Sequence, residues 1–256
     1  MMSQEAQLLT LQDYDPQMAA LQLVHEKTLA TNRVWIRGRD WQDGRRPQRK
    51  FSVAIVGTRK PSEYGVRVVE DLVRRLSAYE MCIVSGGAFG IDRLAHECAL
   101  ERDMSTKAWL VGPIDDPGPR THRQLFESIE RAEGSALLVP SHLNDPDSGF
   151  RTRLGALAWL TRNAWIVAEA DVVVVVEAYQ KSGTWQTVLD TDTLNRGLYV
   201  VPGPLFAGSS YGTNRMISNT HAQAVFDLGE LTETLVVLAG QGSYNVYKGL
   251  KKQNFS

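Results

Sequence analysis

Along this chain, short runs of consecutive apolar residues alternate with longer stretches in which apolar residues recur every third or fourth position. Phe51-Ser-Val-Ala-Ile-Val56 is a β-branched run closed by Gly57, and it predicts a buried strand. Val69, Leu72, Val73 and Leu76 follow at helical spacing, with Arg67, Glu70, Asp71, Arg74 and Arg75 on the other face. The pattern then predicts a strand over Met81 to Val84, a helix over Ile91 to Arg102 and a strand over Lys107 to Val111. A helix carrying Leu125, Ile129 and Ala132, a strand over Ala136 to Val139 and a helix over Leu154 to Ala168 come next. Asp171-Val-Val-Val-Val-Val176 is the strongest strand, because five consecutive valines require burial on both faces. Leu198 to Val201 predicts a sixth strand, ended by Pro202-Gly203.

Strands alternating with helices imply βαβ units and hence a doubly wound α/β fold with a mainly parallel sheet. Ligands of such sheets bind outside the carboxyl ends of the strands. Those ends are Gly57-Thr58-Arg59, Ser85-Gly86-Gly87, Gly112-Pro113, Glu177-Ala178 and Pro202-Gly203. Residues 1–45 are expected as a separate helical or irregular extension, 46–228 as the α/β domain, and 229–256 as a C-terminal helix and tail with Lys248, Lys251 and Lys252.

Composition narrows the class. The chain has 256 residues, 43% of them hydrophobic and 22% charged, which suits a packed domain and excludes a disordered one. The net charge of −1 offers no global argument for a polyanionic partner, yet it hides an asymmetry. Arg33 to Arg75 holds twelve basic and five acidic residues, and Arg45, Arg46, Arg49, Lys50, Arg59 and Lys60 form a run without an acid. That run reads either as a solvated linker or as a local anion-binding surface. Cys82 and Cys98 are too few for a disulfide framework or a four-cysteine zinc site. Met1 to Thr10 lacks the basic start and apolar stretch of a signal peptide, and Glu169 and Asp171 interrupt the most apolar window. A cytoplasmic protein with no membrane partner, no metal and no cofactor is expected.

Several motifs fail on inspection. No G-x-x-x-x-G-K-[ST] is present, and Ser85-Gly-Gly-Ala-Phe-Gly90 has serine where a dinucleotide fingerprint needs glycine. His96-Glu97 is followed at position 100 by Leu100 rather than a second histidine. Gly208-Ser-Ser-Tyr-Gly212 matches G-x-S-x-G, but no acid lies between Ser210 and His221, so it reads as a loop.

Three strand-end loops share a phosphate-binding chemistry. Gly57, Thr58, Arg59, Lys60 and Ser62 place two cations and two hydroxyls before a helix. Ser85, Gly86 and Gly87 offer backbone N–H groups at a second helix start, and Ser182, Gly183 and Thr184, beside Lys181, do so at a third. Helix N-termini carry partial positive charge and unpaired donors, so such loops suit phosphates, although any one of them could be only a tight turn. Arg162-Asn163 lies between Trp159 and Trp165, a mixture suited to holding phosphates and stacking bases unless both rings are core. Asp92 and His96 share a helix face, an arrangement that more often gives a structural hydrogen bond than catalysis.

Together these pieces resemble the DprA/Smf family of DNA-processing proteins. The resemblance rests on Ala54-Ile-Val-Gly-Thr-Arg59 with Ser62, Tyr64 and Gly65, and on Val84-Ser-Gly-Gly-Ala-Phe-Gly-Ile-Asp92 with Ala95-His96. It continues through Arg162-Asn163, Val176-Glu-Ala178, Ser182-Gly-Thr184, Pro202-Gly203 and Gly212-Thr-Asn214 with Ile217. The resemblance implies an extended Rossmann-like domain that binds single-stranded DNA, protects it and assists loading of a RecA-type recombinase, usually as a homodimer and without catalysis. It implies that Arg59, the Ser85-Gly86-Gly87 loop and Arg162-Asn163 hold phosphates. The chain departs from the family where Ala164 replaces a second arginine and where Trp159-Leu160 replaces Phe-Pro. In Asp115-Asp-Pro-Gly-Pro-Arg120, Arg120 or Arg123 would replace a lysine, and no winged-helix module is expected after Leu238. The competing expectation is a LOG-like nucleotide phosphoribohydrolase, with Glu177 as its carboxylate and Ser182-Gly183-Thr184 as its loop, or a nucleotide sensor.

Overall fold

The computed structural model describes residues 5–42, 46–144 and 155–241. Among the described residues nine strands form one sheet: β1 (Gln7–Thr10), β2 (Arg33–Arg37), β3 (Phe51–Val56), β4 (Met81–Ser85), β5 (Ser105–Trp109), β6 (Ala136–Pro140), β7 (Val172–Val175), β8 (Gly197–Val200) and β9 (Gln223–Ala224). Their order is β1-β2-β6-β5-β4-β3-β7-β8-β9, parallel from β6 to β9, with β1 and β2 antiparallel at one edge. The chain winds outward from β3 to β6 and then returns to β7 on the other side of β3. The switch point therefore lies between the carboxyl ends of β3 and β7, where sheets of this type hold their ligands.

The helices are α1 (Leu11–Tyr14), α2 (Pro16–Val24), α3 (Glu63–Leu76), α4 (Ile91–Leu100), α5 (Arg123–Arg131), α6 (Gly155–Glu169), α7 (Thr184–Thr193), α8 (Gly208–Asn219) and α9 (Leu228–Gly240). The pleat of the central strands divides the core. Val53, Ile55, Val172, Val174 and Val176 pack with residues of α3, α4 and α9, whereas Ala54, Val56, Val173 and Val175 pack with α6 and the N-terminal helices. The valine run thus needs apolar cover on both faces.

Three expectations change. The segment expected as a separate helical or irregular extension supplies β1 and β2 to the same sheet, and Leu11, Tyr14, Met18, Leu29, Val34, Ile36 and Trp41 join the main core. Its strands are only four and five residues long, which is why the apolar pattern did not announce them. The Gly208–Gly212 match is the first turn of α8 rather than a loop. Strand β5 begins at Ser105, two residues before the expected start at Lys107, and Ser105 and Thr106 are as buried as the residues that follow. Buried Thr106 donates to the Ile83 carbonyl at 2.9 Å, and Lys107 Nζ donates to Glu169 at 2.6 Å. Arg45, Leu154 and the lysine-bearing tail lie outside the described residues. Among the described residues no helix is long and apolar enough to cross a membrane.

Candidate functional site

The first strand-end loop is held from below. The Thr58 amide donates to the Glu177 carbonyl at 2.7 Å, and the Ile91 amide donates to the Thr58 carbonyl at 3.1 Å. Ser62 caps α3, accepting from the Gly65 amide at 3.3 Å while its own hydroxyl donates to Glu177 at 2.7 Å. The Ser62 amide also donates to the Glu177 carboxylate, at 2.8 Å, and any Cβ on Gly65 would collide with that carboxylate. Glu177 is thus a buried structural anchor for the helix N-terminus, not a carboxylate aimed at a ligand. From this braced turn Arg59 and Lys60 extend into solvent, and neither forms an ion pair among the described residues.

The second loop is closed over an arginine. Ser85 is buried and its hydroxyl donates to the Ile55 carbonyl at 2.7 Å. Arg162 is buried as well, and its Nη1 donates to the carbonyls of Gly86 and Trp109. A Cβ at Gly86 would overlap that guanidinium, so the glycine is needed for the close approach. Gly87 sits at φ +62° and its carbonyl accepts from His122 Nδ1 at 3.0 Å. Burial lowers the Arg162 guanidinium to about 10, with Asp92 opposing the drop and the nearby Arg59 charge adding to it. Burial likewise raises the Asp92 carboxyl, against the pull of Arg162, of the Ala88 and Gly86 N–H groups and of Arg59. Arg59 and Arg162 therefore share this short stretch of the sheet edge with the buried Asp92 carboxyl, each felt by the others.

Trp159 joins the two loops: the guanidinium carbons of Arg59 and Arg162 lie 5.4 and 5.1 Å from its ring centre. Trp165, by contrast, is fully buried against Trp109 at 5.3 Å and is core. In the third loop Lys181 and Gly183 are exposed, Ser182 is partly covered and Thr184 is buried as the first residue of α7. Asn163 Nδ2 reaches the Gly183 carbonyl at 3.4 Å, which ties this loop to α6. Arg120 lies apart, exposed and paired with Asp116 at 3.0 Å, two residues from the histidine that holds Gly87.

Thus Gly57, Thr58, Arg59, Lys60, Ser85, Gly86, Gly87, Arg162 and Asn163 gather around the switch point, with Lys181 to Thr184 adjoining through Asn163. Arg162 and Ser85 support the loops from inside, while Arg59, Lys60 and Lys181 face outward. His96 does not engage Asp92. Its Nδ1 lies 2.7 Å from the Thr106 hydroxyl, which already donates to Ile83, so the ring is neutral with its proton on Nδ1. Burial holds it down to about 3. Exposed rings were missed by sequence reasoning: Phe89, in the glycine loop against His122 at 4.7 Å, and Tyr64, whose hydroxyl donates to the Pro202 carbonyl at 2.7 Å. For Phe89 the available signal was an aromatic residue set directly in a strand-end loop, where there is no core to bury it; Tyr64 stands in the first turn of α3. Among the described residues no three His, Cys, Asp or Glu side chains could hold a metal.

Known proteins are similar to this chain in sequence and fold. The family model for DNA recombination-mediator protein A matches residues 41–236. A putative DNA processing protein DprA of Mycobacterium tuberculosis is 34% identical over 166 residues, covering 65% of this chain and 40% of that protein. DNA processing protein DprA of Streptococcus pneumoniae is 31% identical over 165 residues, covering 64% of this chain and 55% of that one. The chain spans about half the length of the curated relatives it matches. Among solved structures, DNA processing protein A of Helicobacter pylori, described for its single-stranded DNA binding mode, superposes with a TM-score of 0.68 at 25% identity, over 92% of this chain and 99% of that one. The X-ray structure of the S. pneumoniae protein shares the fold, with a TM-score of 0.71 at 24% identity, over 90% of this chain and 74% of that one. A family match running from Trp41 through the switch-point loops to α9 has one meaning: this chain belongs to the DNA recombination-mediator protein A (DprA) family.

Proposed function

We propose that this protein binds single-stranded DNA along the carboxyl edge of its sheet and leaves the strand chemically unchanged. The observation that carries this reading is the set of outward cations, Arg59, Lys60 and Lys181, that form no ion pair among the described residues and stand beside helix N-termini. Unneutralised cations on rigid loops suit successive phosphates, and the partly covered Trp159 beneath Arg59 adds an aromatic surface. The described binding mode of the H. pylori relative supports the same substrate class. No cofactor is needed for such binding.

In this reading the protein works in the cytoplasm as a homodimer, protects the strand and assists loading of a RecA-type recombinase; membership of a family described as recombination mediators supports the recombination role. Fluorescence anisotropy with oligo-dT of about 30 nucleotides, compared with duplex DNA at two salt concentrations, tests the binding. Tight, salt-sensitive preference for the single strand is expected, and equal or absent binding at low salt overturns the proposal. Nuclease protection and RecA filament assembly on coated DNA test the finer roles.

A further inference from the structure

Beside the phosphate loops lies a second exposed surface with a different chemistry. Tyr179 follows β7 at 44% exposure, Tyr211 in α8 is 42% exposed, and Phe206, in the loop after β8, is fully exposed next to Leu205 at 80%. Large apolar groups left in solvent on neighbouring elements mark a contact surface.

The scaffold beneath them is fixed. The Gly212 amide donates to the Ala178 carbonyl at 2.8 Å, and a Cβ at Gly212 would collide with the carbonyls of Ala178 and Tyr179. The Tyr179 ring lies against Gly208, 3.6 Å from where a Cβ would stand. Gly203 exchanges two hydrogen bonds with the Asn214 side chain, at 3.0 and 2.9 Å. Tyr64, in the first turn of α3 directly after the Arg59 loop, donates to the Pro202 carbonyl and ties the segment leading to Phe206 to that loop.

Charge identifies the occupant. Lys181 sits two residues from Tyr179, and the Arg215 guanidinium lies 5.8 Å from the Tyr211 ring centre; neither has an acidic partner among the described residues. Rings interleaved with unpaired cations fit a strand that presents both base faces and phosphates. A duplex hides its base faces, and an apolar protein partner leaves these cations without a counter-charge.

We infer that Tyr179, Phe206 and Tyr211 form a base-stacking platform that extends the DNA path from the Arg59 loop towards α8, an inference that rests on the single-stranded DNA reading above. The test compares oligo-dT with an abasic oligonucleotide of equal length on the wild-type protein, on Phe206→Ala and on the triple variant Tyr179→Ala, Phe206→Ala, Tyr211→Ala. The wild type is expected to prefer dT by about tenfold or more, with the triple variant near parity and Phe206→Ala between them, at unchanged salt dependence. A wild-type dT preference retained in both variants overturns the platform while leaving DNA binding intact. A changed oligomeric state in the variants assigns the surface to a second copy of the chain and also overturns it. Failure of the wild type to bind either oligonucleotide at low salt overturns the underlying DNA reading.

Discussion

The two edges of the sheet use the same residue types for opposite ends. At the amino edge the two cations drawn into the protein, Arg49 and Lys107, are matched. Arg49 meets Asp15 at 2.9 Å and Asp171 at 2.8 Å, and Lys107 donates to Glu169, whose other oxygen accepts from Tyr14 at 2.8 Å. Burial lowers Lys107, yet Glu169 and its neighbours more than offset this, so its ammonium is held above its ordinary range. At the carboxyl edge Arg59, Lys60 and Lys181 are exposed and form no ion pair among the described residues. Six-residue β3 separates Arg49 and Lys50 from Arg59 and Lys60, so the basic run that looks continuous in sequence is divided between the two edges. What distinguishes a structural cation from a ligand-facing one is its partners, not its place in a charged run.

The comparison can be broken at the amino edge first. Glu169→Ala leaves the Lys107 ammonium buried without its carboxylate, so unfolding by urea should show a loss of about 3–5 kcal/mol. A loss below about 1 kcal/mol would mean that the pair is solvated and that the edges do not differ as described. At the carboxyl edge the expected effects reverse. Arg59→Ala should weaken oligo-dT binding about tenfold, ~1.4 kcal/mol, and leave the urea midpoint within about 0.5 kcal/mol of wild type.

The interior between the edges gives two smaller effects. His96 is buried neutral, with its folded-state value depressed to about 3 from an ordinary 6.5. Its contribution is therefore present above pH 6.5 and lost as pH falls towards 3, and His96→Gln should flatten that part of a stability–pH curve. Burial raises Asp190 to about 6, opposed by its hydrogen bond from Gln186. A raised carboxyl favours the folded state while protonated, so stability falls as pH rises from about 4 through 6. Asp190→Asn should raise the melting temperature slightly at pH 8 and hardly at all at pH 4, measured by calorimetry.

The parallel sheet was legible because β3 and β7 are apolar runs whose two faces both need cover, and because helical spacing surrounds them. The N-terminal strands were not: Arg33-Val-Trp-Ile-Arg37 alternates, but five residues between polar neighbours compete poorly with longer patterns. The loops bearing Arg59 and Gly86 were legible as glycines and cations at strand ends. The burial of Arg162 was not, because its partners, the carbonyls of Gly86 and Trp109, lie 76 and 53 residues away in sequence. Glu177 likewise looked free beside a glycine-containing loop until the fold brought Ser62 onto it.

The most direct measurement is the salt dependence of oligo-dT affinity for two variants that each remove one positive charge, Arg59→Gln at the carboxyl edge and Arg74→Gln at the amino edge. Arg74 is exposed but paired with Asp71 at the end of α3. The account predicts that Arg59→Gln lowers both the affinity and the slope of log K against log salt, by about 0.7 for one lost phosphate contact, and that Arg74→Gln changes neither. Equal losses in the two variants, or none in either, would contradict it.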